Sequence, residues 1–286
     1  MECWQVCGSF KIRGLMNRLA SLDATQRKKG LVAASCGNQG ISLAYLGKLF
    51  GIPITIFLPK EADPSKIAKI QDHGAQTVLT ADSIFDAGNQ ARDYARQNDR
   101  IIIHHDHTDV IAGHGTTGLE ILEDLPDVEV IVVPIGAGGL CSGIGSAAKA
   151  ISPSCSIIGV EPAAAPGAFR SLQEGVCCEG IPTKPSLADG LLGGPSPTTF
   201  SLLQRLVDQV VVVEEEEILS AMRTLLEAEQ LLVEGSGAVG LAALLAGKIR
   251  VTDKNVVLVI TGRNIGPQQW RNLMSPNNSE RENPVH

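Results

Sequence analysis

Lys11 has the clearest potential for chemistry in this sequence, because it stands in the run Gly8-Ser9-Phe10-Lys11-Ile12-Arg13-Gly14. Packing against Phe10 and Ile12 would disfavour the ammonium form, and the guanidinium of Arg13 would repel it, so both effects should lower the pKa of the amine. A free amine attacks carbonyl carbons and accepts protons. The alternative is an ordinary solvated lysine at the start of a helix, as most lysines are.

Composition limits the possible classes of protein. With 286 residues and 44% apolar content, the chain can build one large domain or two smaller ones. The net charge of −7, with scattered Lys and Arg, argues against a nucleic-acid partner. Apolar runs of strand length and the lack of a signal peptide before Gly8 predict a soluble protein without a membrane span.

Cysteine usage indicates a reducing compartment. The seven cysteines form no CxxC pair, and their odd number does not fit a disulfide framework, so we expect free thiols and a cytoplasmic location. The segment from Ser275 to His286 is polar and contains two prolines. We expect it to be disordered.

Short β-branched runs alternate with helical patterns along most of the chain. The predicted strands lie at 31–34, 54–58, 77–79, 101–103, 130–134, 157–160, 210–213 and 256–260. The predicted helices lie at 41–50, 65–73, 84–97, 116–125, 140–151, 216–229 and 238–246. This alternation predicts an α/β protein with mostly parallel sheets, which bind ligands at the carboxyl ends of their strands.

Loops with unusual chemistry follow some of these strands. Ser35-Cys36-Gly37-Asn38-Gln39-Gly40 follows the first strand, Gly136-Ala137-Gly138-Gly139 follows the fifth, and Thr261-Gly262-Arg263-Asn264 follows the last. The glycine run precedes a predicted helix, where backbone N–H groups can hold a phosphate. The same glycines would also suit a tight strand-to-helix turn, and the sequence leaves both interpretations open.

Rival motifs fit less well. A dinucleotide site would use Glu161 as the ribose-binding acid, but Cys141 occupies the position of the third glycine. A second formal G-x-G-x-x-G match, Gly113 to Gly118, does not directly leave a strand. The cluster His104-His105-Asp106-His107 has the composition of a metal site, yet adjacent ligands rarely converge on one ion. We therefore expect a polar loop there and no metal site.

The motifs together identify a ligand with an aldehyde, a phosphate and a ring nitrogen, which pyridoxal 5′-phosphate combines. They are GSFKIRG, SCGNQG, AGHGTTGLEI, PIGAGGLCSGI, VEGSGAVGLAAL and VLVITGRN, in this order. In these motifs the chain resembles the fold-type II pyridoxal-phosphate enzymes, and within them the serine/threonine ammonia-lyase (dehydratase) and serine racemase branch. The resemblance covers the chain from Glu2 to about Gly266.

The resemblance implies a role for each site residue. Lys11 would join the cofactor covalently, Phe10 would pack beside its ring, Asn38 would hydrogen-bond its phenolic oxygen, and Thr261 would face its pyridine nitrogen. The phosphate would be bound by Gly136, Ala137, Gly138, Gly139 and Leu140. The substrate carboxylate would be received by Ser35, Asn38 and Gln39.

The resemblance also implies an architecture and a reaction. The fold would be the two-domain, tryptophan synthase beta-like α/β fold, with open, mostly parallel sheets flanked by helices. Residues 30–107 would form a small domain inserted into a large one of residues 1–29 and 108–286. The protein would be a homodimer that converts L-serine, L-threonine or a related 3-hydroxy amino acid to a 2-oxo acid and ammonia, with Lys11 as the base at Cα.

Several positions depart from the family pattern. Cys36 stands where racemases of this branch carry a serine that acts on the opposite face of Cα, so Lys11 and Cys36 would together suit an amino-acid racemase; a small buried cysteine is the favoured alternative. Arg263 replaces a usual glycine and would lie near the ring or point to solvent. His105 is expected to pack or to form a surface hydrogen bond. Glu161 matches an acid that binds a divalent cation in some members, but residues 163–168 supply no second carboxylate.

The position of Lys11 is itself a departure. Family members carry several dozen residues before this lysine, whereas ten precede it here. The resemblance is thus to an N-terminally shortened member, which raises a third possibility, a non-catalytic protein that retains the fold.

Overall fold

Two parallel β-sheets form the framework of the protein. The computed structural model describes residues 1–35, 37–178 and 180–275. One four-stranded sheet contains β1 (Leu31–Ala34), β2 (Ile54–Pro59), β3 (Gln76–Ala81) and β4 (Ile101–Ile102) in the order β3-β2-β1-β4. The other contains β5 (Val130–Pro134), β6 (Ser156–Pro162), β7 (Gln209–Val213) and β8 (Val256–Leu258) in the order β7-β6-β5-β8. The predicted α/β class with parallel sheets is confirmed.

Helices connect and cover the strands. They are α1 (Lys11–Ala20), α2 (Ala24–Lys28), α3 (Asn38–Phe50), α4 (Pro64–Asp72), α5 (Ile84–Gln97), α6 (Thr108–Asp124), α7 (Gly139–Ile151), α8 (Gly167–Glu174), α9 (Pro197–Leu206), α10 (Glu215–Glu229), α11 (Gly235–Leu245) and α12 (Pro267–Met274). Within the described ranges, none of them has the length and apolar character needed to cross a membrane.

The central strands explain why the two key loops lie where they do. β1 pairs with β2 and β4, and β5 pairs with β6 and β8, so neither has a free edge. Both strands are continuous apolar runs, as a parallel strand with helices on each face requires. Their carboxyl ends lead directly into the loops that start at Ser35 and Ile135.

Helix α1 packs against both halves of the framework. Its Leu15 and Leu19 are buried in the same cluster as Leu43 of α3 and Ile56 of β2, and it also lies against α6. Each fully buried aliphatic side chain contributes about 1.5–3 kcal/mol relative to exposure. The division of the chain into domains 30–107 and 1–29 with 108–286 stays a prediction.

Helix α6 begins at Thr108, well before the predicted start at Thr116. Its glycines explain the difference, because they suit close helix contacts rather than a loop. A Cβ at Gly113 would lie 2.7 Å from Gly14 Cα, and one at Gly118 would lie 2.9 Å from Ile144 O. The Gly113–Gly118 match to a dinucleotide motif is therefore a packing feature inside a helix.

Some helices were missed by the sequence patterns. No helix was predicted over α1, α2, α8, α9 or α12. Helix α9 carried readable signals, since Ser196 caps it, Pro197 occupies its first turn and Thr199 completes a capping box. Of the tail expected to be disordered, residues 276–286 lie outside the described part of the chain.

Candidate active site

A cavity of about 460 Å³ lies where β1 and β5 end, a volume within the usual range for small-molecule sites. Its walls include all of the predicted cofactor- and substrate-binding residues, namely Phe10, Lys11, Ser35, Asn38, Gln39, Gly136, Ala137, Gly138, Gly139, Leu140 and Thr261. Cys36, the predicted racemase residue, lies outside the described residues. The structure thus brings residues from distant motifs into one pocket, and their individual roles stay predictions.

Lys11 enters this pocket from the start of α1. Its Nζ lies 4.8 Å from the centroid of the Phe10 ring. Burial lowers the pKa of the amine to about 8, while the negative charge of Glu234 acts in the opposite direction. A lysine with this pKa is partly unprotonated near neutral pH, unlike a solvated lysine with a pKa of roughly 10.4.

Arg13 does not contribute to this shift, so the expectation that its guanidinium lowers the pKa of Lys11 is wrong. The guanidinium forms ion pairs with Glu2 at 2.6 Å and with Glu120 at 2.5 Å. These carboxylates offset its positive charge and raise its own pKa. Arg13 instead ties α1 to the chain start and to α6.

The loop after β1 leads into the N-terminus of α3. Ser35 Oγ accepts hydrogen bonds from the N–H groups of Gly37 at 3.3 Å and Gly40 at 2.9 Å. The N–H groups of Asn38 and Gln39, in the first turn, have no acceptor within the helix and can bind an anion. This geometry suits a substrate carboxylate.

The glycine loop after β5 forms a tight strand-to-helix turn. Gly138 has a φ of 86° and caps α7, and a Cβ there would lie 3.1 Å from Thr199 Cβ. A Cβ at Gly136 would lie 3.0 Å from Leu191 Cα. The glycines therefore allow a tight turn, and the N–H groups at the start of α7 lie in a loop that lines the cavity, where binding of a phosphate stays a prediction.

Glu234 is the main site residue that the sequence did not single out. Asn38 Nδ2 donates to its Oε1 at 2.6 Å, and the N–H of Asn264 donates to its Oε2 at 3.1 Å. Asn264 Nδ2 also donates to Asn38 Oδ1 at 2.7 Å. Burial raises the pKa of Glu234 to about 7, and the charge of Asp189 acts in the same direction. The glutamate is part of the VEGSG motif, but nothing in that motif indicates that it accepts hydrogen bonds from Asn38 and Asn264.

Thr261 and Arg263 take different positions although they are two residues apart. The buried Thr261 hydroxyl donates to Ser236 O at 3.3 Å and lines the cavity. Arg263 is exposed and does not line it. Of the two positions expected for Arg263, the structure shows the one towards solvent.

The histidines of the site are held neutral. His105 lines the cavity and stacks on His104 with ring centroids 4.5 Å apart, and burial lowers its pKa to about 4. His114 packs edge-on against Phe10, and burial lowers its pKa well below the usual value. Across the described ranges, no group of three His, Cys, Asp or Glu side chains is arranged to hold a metal ion.

The carboxylate of Glu161, which matches a cation-binding acid in some family members, accepts hydrogen bonds from the backbone. Its carboxylate oxygens accept the N–H groups of Ala168 and Phe169, each at 2.8 Å, at the start of α8. Burial raises its pKa to about 7, which these hydrogen bonds oppose. The carboxylate caps α8.

An ion pair between a buried lysine and an exposed aspartate lies on the wall of the cavity. Lys66 Nζ on α4 donates to Asp189 Oδ2 at 2.5 Å, and both residues line the pocket. Neither residue was predicted to belong to the site. No local motif marks them, because they are separated by 123 positions in the chain.

The residues present fit pyridoxal phosphate. The free N–H groups at the α7 start suit its phosphate, the buried amine of Lys11 suits its aldehyde, and Phe10 and Thr261 line the same cavity. Asn38 offers a side-chain amide on the same wall.

Comparison with known proteins agrees with this geometry. A family model described as pyridoxal-phosphate dependent enzyme matches residues 1–262. The L-threonine ammonia-lyase of Thermotoga maritima is 46% identical over 268 residues, which cover 93% of this chain and 66% of that protein. The catabolic L-threonine dehydratase TdcB of Escherichia coli K12 is 40% identical over 270 residues, which cover 92% of this chain and 81% of that protein.

A solved structure shows the same architecture. Maize serine racemase superposes with a TM-score of 0.88 and 35% sequence identity, covering 96% of this chain and 85% of that one. The chain spans about two thirds of the length of the Thermotoga relative, 66%. The predicted fold-type II architecture is confirmed, and the chain belongs to the family of pyridoxal-phosphate dependent enzymes.

Proposed function

We propose that this protein is an ammonia-lyase that converts L-threonine, L-serine or a related 3-hydroxy amino acid to a 2-oxo acid and ammonia. The observation that carries the proposal is the buried amine of Lys11, in one cavity with the glycine loop and the N-terminus of α3. The similarity to the L-threonine ammonia-lyase of Thermotoga maritima and to the L-threonine dehydratase of Escherichia coli supports this substrate class.

The side chains of the site suggest how the reaction would proceed. When bound, pyridoxal phosphate would supply an electron sink for the pair left at Cα when the Cα–H bond breaks. Lys11 Nζ, as a free amine, would take that proton as general base. The N–H groups of Asn38 and Gln39 would hold the substrate carboxylate and thereby orient the Cα–H bond. The hydroxyl of Thr261 has one proton, which would have to turn from Ser236 O to the ring nitrogen. It cannot hold a full proton on that nitrogen as a carboxylate would, so the ring would be a weaker electron sink, which favours elimination.

Turnover of 3-hydroxy amino acids tests this proposal. The purified protein with pyridoxal phosphate should release 2-oxo acid from L-threonine or L-serine, and Lys11→Ala should lower kcat by at least about 10²-fold, the usual contribution of a general base. Lys29→Ala is the matched control. Lys29 forms an ion pair with Asp99, with an N–O distance of 2.9 Å, and does not line the cavity. If the loaded wild type releases no 2-oxo acid from any 3-hydroxy amino acid, the proposal is wrong. Formation of D-serine that is lost in Cys36→Ala would favour the racemase instead.

We also propose a homodimer in the cytoplasm. The family resemblance supports the dimer, and the free thiols of Cys3, Cys7, Cys141 and Cys155 support a reducing compartment. Light scattering should give twice the mass of one chain, 30.1 kDa.

A further inference from the structure

Lys66 is an unusual residue for a pocket wall, because lysines are seldom buried. It lies in the first turn of α4 with a relative exposure of 7%. Its Nζ donates to Asp189 Oδ2, and Asp189 also lines the cavity. The charge of Lys66 is thus held inside the cleft rather than in solvent.

The ammonium group of Lys66 lies against the loop assigned to the substrate carboxylate. A Cβ at Gly37 would be 3.6 Å from Lys66 Nζ. Gly37 directly precedes the N–H groups of Asn38 and Gln39 at the start of α3. A carboxylate bound there would therefore have the helix N-terminus on one side and the Lys66 ammonium nearby.

The charge inventory of the cavity leaves few alternatives to Lys66. Among the described residues that line the cavity, Lys11 and Lys66 are the lysines, and none is an arginine. His105 and His114 are neutral because burial lowers their pKa values. Asp189 and Glu234 also line the cavity, and Lys11 is assigned to the cofactor, so Lys66 is the remaining lysine that can donate to an incoming carboxylate. The N-terminus of a helix supplies only about half a positive charge by itself.

We propose that Lys66 is a specificity-determining residue that donates a hydrogen bond to the substrate carboxylate while it keeps its bond to Asp189. An ammonium group has three protons, and within the described part of the chain Asp189 is the hydrogen-bond acceptor that Lys66 uses. Asp189 then positions the ammonium rather than competing for it. This inference rests on the proposed function, since it takes an amino acid as the ligand of the α3 N-terminus.

Binding of two ligands that do not turn over tests the inference in the holoenzyme. L-Alanine carries a carboxylate and no β-leaving group, whereas L-alaninamide lacks the carboxylate charge. Titration calorimetry and the visible absorption of the bound cofactor give Kd for each. Lys66→Met should weaken L-alanine about tenfold to a hundredfold, the cost of one charge-assisted hydrogen bond, and should change Kd for L-alaninamide less than twofold.

Control variants separate this role from a structural one. Lys60→Met removes a lysine that pairs with Asp82 on the surface and should leave both Kd values unchanged. The double variant with Lys66→Met and Asp189→Asn removes the carboxylate that would otherwise be left unpaired, and L-alanine should remain weakened in it.

Other outcomes overturn the inference. They are equal weakening of both ligands, no weakening of either, recovery of L-alanine binding in the double variant, or failure of the wild type to bind L-alanine. Absence of 2-oxo acid from L-threonine would instead overturn the proposed reaction, and it would leave this binding comparison intact.

Discussion

The side-chain amide of Asn38 donates to Glu234 Oε1 at 2.6 Å, which joins two loops separated by 196 positions in the chain. Asn264 Nδ2 donates to the other end of the same amide, at Asn38 Oδ1. A carboxylate only accepts hydrogen bonds when ionised, and an NH₂ group only donates, so the two partners fix which way the Asn38 amide points. The orientation of the first residue of α3 is thus set by Glu234, which directly precedes α11, and by Asn264, which follows β8.

The charge of Glu234 should hold the pKa of Lys11 higher than burial alone would. Glu234, with a pKa of about 7, is mostly ionised when Lys11 titrates near a pKa of about 8, and its negative charge favours the ammonium form. Glu234→Gln should therefore shift the pKa of Lys11 downward. The rate at which the apo-protein takes up pyridoxal phosphate should rise with pH through about 8 in the wild type, and through a lower pH in the variant.

A surface variant controls for the loss of one carboxylate. Glu229→Gln, at the exposed end of α10, should leave the midpoint of the uptake profile where it is in the wild type. An unchanged midpoint in Glu234→Gln would show that Glu234 does not act on Lys11.

Asn264 should matter for cofactor binding although it does not line the cavity. Its side-chain NH₂ donates to Cys7 O and to Asn38 Oδ1, each at 2.7 Å. Asn264→Ala removes both donors and frees the Asn38 amide to turn, at a cost of about 1–3 kcal/mol for each buried acceptor left unpaired. We expect Kd for pyridoxal phosphate to rise about tenfold in an absorbance titration.

Asn255→Ala, which removes an exposed hydrogen bond to Asp127, is the control and should leave Kd for pyridoxal phosphate unchanged. Equal Kd values in both variants would contradict this role of Asn264.

The sequence predicted those features that are local in the chain. The bounds of β1 and β5 agree with the predicted strands, because a buried central strand is a continuous apolar run that ends at a glycine-containing loop. The lysine motif and the glycine loop carried enough local chemistry to identify the pocket. Glu234 and Lys66 could not be assigned in this way, since their partners Asn38 and Asp189 lie far away in sequence. The predicted start of α6 was wrong, because glycines that permit close contact between helices cannot be distinguished from loop glycines by the sequence alone.

Gly143 should tolerate no side chain, because α6 and α7 touch there. A Cβ at Gly143 would lie 2.5 Å from Ile111 O and 2.7 Å from Gly115 N, both of them backbone atoms. Gly143→Ala must push the helices apart, and we expect it to lower the free energy of unfolding by about 1–3 kcal/mol. Gly88→Ala on α5 is the matched control, since a Cβ there would meet only Arg92 Nη1 at 3.6 Å; it should be neutral or stabilising by up to about 1 kcal/mol. Urea unfolding compares the two variants, and equal effects would contradict the close contact.

Glu161 should make the protein less stable as the pH rises. Burial raises its pKa in the folded state from the usual 4.5 to about 7, so the folded state binds the proton more tightly than the unfolded state. Its contribution is fully present below pH 4.5 and is lost as the pH rises through about 7. The glutamine of Glu161→Gln does not titrate. The free energy of unfolding of this variant, relative to that of the wild type, should therefore increase by up to about 3 kcal/mol between pH 4.5 and 8, because each unit of pKa shift is worth roughly 1.4 kcal/mol. Urea unfolding of the apo-protein across this range, with the exposed Glu174→Gln of α8 as control, measures the difference. A gap between Glu161→Gln and the wild type that stays constant with pH would show that the carboxylate is already ionised throughout, held in that form by the N–H groups of Ala168 and Phe169.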